Sequence, residues 1–179
     1  MPIARNNINS KNKAMNLQSV YIILLMTIAI NCSAESNKVA ILYSDVMLEH
    51  RTGENHPEKP ERLSSAVSAV KKNNALSKYF IWPAITKASN DYIQLAHTDD
   101  YINLVKSEVE RLDGDQQILL STGDVVISKN SDEAARFAVG AGIAGIDQIM
   151  AKKAASAFAL VRPPGHHATS TKGMGFCVY

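Results

Sequence analysis

Cysteine is nearly absent from this 179-residue sequence, which has only Cys32 and Cys177. They form no CxxC pair and no zinc-finger spacing, which argues against a disulfide framework. Histidine is also sparse: His50, His56, His97, His166 and His167 include no HxxxH, and no Asp-x-His occurs anywhere, so the usual spacings of zinc ligands are missing. There is no internal repeat and no low-complexity tract. An excess of charge is missing too. The formal charge is +2, but the first 34 residues hold no acid and three bases (Arg5, Lys11, Lys13), leaving 16 basic and 17 acidic residues in the remainder, or −1. That excludes a bulk electrostatic footprint for nucleic acid. What is present, 46% hydrophobic and 20% charged residues, suffices for one globular domain with a real core.

The N-terminal segment has a basic, Asn-rich start, an apolar run over residues 20–30, and small residues at Cys32, Ser33 and Ala34. This is the pattern of a secretory signal peptide over residues 1–34, with cleavage expected after Ala34. Eleven apolar residues fall short of the ~20 that a membrane-spanning helix requires, so the mature chain is expected to have no membrane span. Export to a periplasm or outside the cell follows if the signal is cleaved, and a cytoplasmic location otherwise. Lipidation at Cys32 is disfavoured by the larger Asn31 before it, and a start at Met15 would keep the apolar run but lose its basic flank.

From Lys38 the character changes. KVAILYS reads as a buried strand, and the polar stretch after it, broken by Gly53, Pro57 and Pro60, as loop. Pro60 suits the first turn of a helix on which Leu63, Ala66, Val67 and Val70 recur at helical spacing, ending near Asn73. KYFIWPAI is extended. Asn90 is expected to cap a short helix to Leu95, and DDYINLVKSEVERL forms a second, closed by a turn at residues 113–115. Asn130 and Glu133 stand at capping-box spacing ahead of a long Ala- and Gly-rich helix, and SAFALV reads as a fully buried parallel strand. Strands alternating with helices predict an α/β fold: a mostly parallel sheet with helices on both faces.

That last strand delivers RPPGHH to its C-terminal end, the edge where open α/β sheets bind ligands. Pro163 and Pro164 fix φ and remove donors, and Gly165 eases the turn. Three readings of His166 and His167 stand side by side: a surface loop, a metal-ligating pair, and a general acid/base pair. Rigid placement and imidazole's near-neutral titration suit the third.

RPPGHHA followed by MGFC resembles the active-site segment of the zinc-dependent histone deacetylase family, especially its class II-like members and the related acetylpolyamine amidohydrolases. HPEKPERL at residues 56–63, AHTDDYI at 96–102 and TGDVVISKNSDEAARFAVGAGIAGID at 122–147 agree in order and spacing, so the resemblance covers nearly all of residues 38–179. It implies an arginase/deacetylase-like fold and hydrolysis of an acetyl amide. His167 would be general base and acid, and His166 its electrostatic partner. Gly175 and Phe176 would line the acyl-lysine tunnel, and Asp99 would be either a rim carboxylate holding the substrate backbone or a helix-start residue. Arg162 would anchor the loop, Cys177 would be a small buried side chain, and His97 structural.

The resemblance also implies zinc, held in the family by an Asp-x-His pair on the next strand and by a further Asp. None has a counterpart here, so residues 35–179 are expected to be the N-terminal part of a deacetylase domain, truncated before the zinc-ligand strand. This chain is expected to hold no metal ligands, to be inactive alone and to leave apolar sheet edges exposed. Three functions compete: deacetylation of acetyl-lysine in proteins, deacetylation of small amines such as acetylpolyamines, and a non-catalytic remnant.

Overall fold

The structure is a computed structural model that describes residues 37–179; the signal segment expected at residues 1–34 lies outside them. Strand β1 (Val39–Leu42) is central in a three-stranded parallel sheet, flanked by β2 (Phe80–Ile81) and β5 (Ser156–Ala159). The expected sheet is thus parallel, and the fold is α/β.

Helix α1 (Pro60–Lys72) begins on the proline whose missing N–H costs nothing in the first turn. Glu61 sits at its positive end and Lys71 and Lys72 at its negative end, and Leu63 and Val67 are buried. The short α2 (Asn90–Ile93) starts on Asn90, the expected cap residue, and the cap position falls one residue earlier, at Ser89. For α3 (Asp99–Glu110), Thr98 caps by accepting from the Tyr101 N–H. The long α4 (Ser131–Met150) does not use the expected capping box: Asn130 makes no side-chain cap bond, and Glu133 pairs with Lys87 instead. The Ser131 hydroxyl is taken by the Ser128 N–H and by His50, both at 2.7 Å. An antiparallel hairpin, β3 (Gln117–Leu119) with β4 (Val126–Ser128), was not expected. Its strands are too short for an alternating pattern to show.

Two apolar cores result. One joins Ala40 and Leu42 of β1 to Leu63 and Val67 of α1 and Ala141 of α4. The other packs α3 and the hairpin against Val178 and Tyr179. The Tyr101 hydroxyl donates to the Val178 carbonyl at 2.6 Å, which seats the tail behind the histidine loop. On the far side of β5 no strand pairs with it among the described residues, and Phe158 is 56% exposed. Among the described residues no helix is long and apolar enough to cross a membrane.

Candidate active site

Leu160 still donates to the Leu42 carbonyl, extending β5 to the residue before the loop begins. The chain then enters it through Arg162, which is 1% exposed. Its guanidinium donates from Nε to Glu58 Oε1 at 2.8 Å, to the carbonyls of Met47 and His50, and at 3.5 Å to Thr52 Oγ1. Burial works against the guanidinium charge, and the Glu58 carboxylate offsets part of that. The expected anchoring by Arg162 is therefore present, with partners drawn from residues 47–58. Gly165 is required by crowding: a Cβ there would lie 2.3 Å from the Tyr179 carbonyl oxygen.

Beyond this root the two imidazoles stand in solvent, with ring centroids 4.2 Å apart at an interplanar angle of 68°. The His167 N–H meets the buried Cys177 sulfur at 3.3 Å, and His167 Nδ1 lies 3.5 Å from the Gly175 carbonyl oxygen. A proton on Nδ1, facing that carbonyl, leaves Nε2 with the lone pair a base needs. Gly175 has φ +57 and Phe176 φ +80, a conformation bulky residues rarely adopt and one that marks functional sites. The Phe176 ring packs edge-on to His56 at 4.7 Å. Together Glu58, Arg162, Pro164, His166, His167 and Phe176 help line a cleft of about 500 Å³. A larger groove of about 660 Å³ lies beside Arg51, Glu54 and Asp115, but Arg51 is already paired with Asp115 at 2.7 Å and no catalytic pair faces it.

Of the residues expected from the sequence, the structure brings His166, His167, Gly175 and Phe176 together. Asp99 is not among them: it sits in the first turn of α3 and accepts from Gln94 Nε2, as a helix-start residue would. The carboxylate beside the loop is Asp124, whose Oδ1 accepts the Gly175 N–H at 2.8 Å. That bond, with smaller contributions from Lys172 and His167, holds its carboxyl below the usual carboxylate range. In the sequence Asp124 lies within the motif at 122–147 and Glu58 within HPEKPERL, and neither motif by itself gives them a role. His97 is structural, as expected: it lies between Tyr101 and Tyr179 at 5.4 and 5.5 Å, and burial lowers its pKa. His50, wholly buried, is pushed down to about 3 by burial first and then by Arg162 and His56. It is neutral near pH 7 and shielded from any substrate.

One group of metal-ligating side chains converges among the described residues: His166, His167 and Cys177, with ligand atoms within 4.8 Å of one another. The set does not fit a zinc centre. Cys177 is buried and its sulfur already receives the His167 N–H. It also lacks the carboxylate–imidazole donors the resemblance implies.

The histone deacetylase domain model matches residues 56–179. Histone deacetylase 5 of Arabidopsis thaliana is 32% identical over 146 residues, covering 79% of this chain and 22% of that protein. Polyamine deacetylase HDAC10 of Homo sapiens is 30% identical over 147 residues, covering 78% and 22%. The crystal structure of the HDA15 HD domain superposes with a TM-score of 0.70 at 27% identity, covering 79% of this chain and 40% of that one. The chain spans less than half the length of the curated relatives it matches.

Proposed function

Since the chain belongs to the histone deacetylase family, we propose that it supplies the acid–base half of an enzyme that hydrolyses the acetyl amide of N-acetyl-lysine in proteins. The observation that carries this is the pair of exposed imidazoles on a buried root, opening on a cleft walled by Phe176. Amide hydrolysis needs a base for the attacking water and an acid for the departing amine. His167, with Nδ1 turned to the Gly175 carbonyl, takes the water's proton on Nε2 and returns it to the amine. His166 stabilises the charge that develops beside it. Phe176 and Gly175 grip the aliphatic chain of the acyl-lysine.

Zinc dependence is general in the family, and the ion would supply Lewis-acid activation of water and carbonyl. Its ligands are proposed to come from residues this sequence does not contain. Export, read from residues 1–34, is likewise a proposal, and N-terminal sequencing of the mature protein tests it: a chain starting at Met1 or Met15 would refute cleavage.

A second reading, deacetylation of small acetylated amines, has its own support. Relatives include polyamine deacetylases, and the exposed Asp124 carboxylate beside Gly175 would attract a cationic chain. Turnover of an acetyl-lysine peptide against an acetylated polyamine by the zinc-loaded enzyme that includes this chain decides between them. His167→Ala is expected to lower kcat by about 10²–10⁴-fold on the preferred substrate. Undiminished turnover in that variant would overturn the acid–base assignment.

A further inference from the structure

The run His56-Pro57-Glu58 touches the histidine loop at both ends. His56 packs on Phe176 at 4.7 Å, and Glu58 bonds Arg162 Nε at 2.8 Å. We propose that Glu58 is a positioning residue for the tandem histidines, acting through Arg162: its carboxylate sets the guanidinium that roots the loop, and thereby where both imidazoles stand. The inference rests on the deacetylase reading for what the imidazoles do, and on geometry alone for what places them.

The choice of a buried ion pair is informative. Both side chains are nearly inaccessible, at 2% and 5% exposure, and in such a place a well-packed apolar pair would stabilise the fold as well or better. An apolar plug, however, fills space without direction. The guanidinium is a planar fork whose donors leave at fixed angles. Here it reaches Met47 and His50 through their carbonyls and Thr52 and Glu58 through side chains, so its position and rotation are both determined. Thr52 is itself tied to the Glu58 carbonyl, which closes the cradle on itself. Arg162 lies four residues from His166 in sequence, and Pro163 and Pro164 stiffen most of that interval, so the orientation given to the root is passed to the tip.

Glu58 is also incompletely satisfied. Its Oε2 and His50 Nε2 are buried without hydrogen-bond partners in the structure, and they face each other at 3.7 Å. Buried polar groups are ordinarily paired. A carboxylate kept here with one oxygen unspent serves its bond to Arg162 more than it serves stability, and the same carboxylate lines the cleft behind the histidines.

The test uses the native protein, 15N-labelled at histidine, with kinetics measured in parallel. Glu58→Gln keeps the shape and removes the charge. Its kcat is expected to fall on the order of 10- to 100-fold with KM held, the scale of a displacement of about 1 Å, and the pH–rate profile and the imidazole 15N signals of His166 and His167 should move with it. Arg162→Lys retains the buried charge but loses the planar fork, so it answers the question even if Glu58→Gln fails to fold. A role in stability alone would leave its imidazole signals and pH profile like wild type, and that result overturns the proposal. Should the zinc-loaded enzyme that includes this chain turn over neither acetylated substrate, the deacetylase reading fails. The imidazole signals of the two variants still decide whether Glu58 and Arg162 place the pair.

Discussion

The root and the tip of one loop differ in burial and in bonding. At the root, Arg162 is buried and its guanidinium is spent on two carbonyls, a carboxylate and a hydroxyl. Four residues on, His166 and His167 are exposed, and the contacts holding His167 are a sulfur at 3.3 Å and a carbonyl at 3.5 Å. The proposed proton transfer accounts for the contrast. An imidazole that trades protons with substrate must keep a nitrogen unbonded, so the bonds that fix its place have to be made elsewhere in the chain.

That comparison breaks hardest at the root. Arg162→Met keeps a long side chain but strands the Glu58 carboxylate in the interior, and removing one partner of a buried pair costs about 3–5 kcal/mol. Urea melts should show a lower midpoint, with the free energy of unfolding reduced by that much. An unchanged midpoint would mean that the root does not hold the fold. At the tip the effect is smaller and of another kind. A methyl group at Gly175 meets a left-handed backbone and His167 Nδ1 at 2.7 Å, so Gly175→Ala is expected to cost about 1–2 kcal/mol in backbone conformation. It should also push His167 aside. Turnover should then fall by more than stability does, and equal losses would show the contact to be incidental.

The legibility of the molecule follows the same division. Strand β1 and the first helix were readable because each repeats a pattern along the chain: KVAILYS as a continuous apolar run, Leu63 and Val67 one turn apart after Pro60. SAFALV, expected to be fully buried, has three of the four residues of β5 exposed, and no strand pairs with its far side among the described residues. The histidines and Phe176 were readable because they sit in one short motif. What escaped depends on partners distant in sequence. Glu58 meets Arg162 across 104 positions, and no local pattern distinguishes it from the other acids of a polar loop. Asp124 reaches the loop across 51 positions, while Asp99, read either as a rim carboxylate or as a helix-start residue, lies in the first turn of α3. The Asn130 box is also absent: Asn130 makes no side-chain cap bond, and Glu133 pairs with Lys87 across 46 positions.

Acid sharpens the comparison with the smallest of these effects, and again at the root. Buried His50 is held neutral, pushed down to about 3 by its burial and by the charges of Arg162 and His56, whereas in the unfolded chain it titrates near its ordinary value of about 6.5. Its folded pKa is thus the lower one, and on acidification the unfolded chain takes the proton first. The stability it contributes is complete above about pH 6.5 and is lost as pH falls toward 3. Between pH 7 and 5.5 the loss is roughly 1 kcal/mol. The groups facing His50 fit this direction: Ser131 bonds Nδ1 at 2.7 Å, Arg162 is fixed beside it, and Glu58 Oε2 stands at 3.7 Å, too far to make a hydrogen bond that would hold the proton. His50→Gln puts a hydrogen-bonding amide in place of the imidazole and has nothing to protonate, so its melting midpoint should depend less on pH across that interval. Parallel slopes in the variant and the wild type would place the acid sensitivity outside the root, and the buried cradle would then be no more pH-sensitive than the exposed tip it supports.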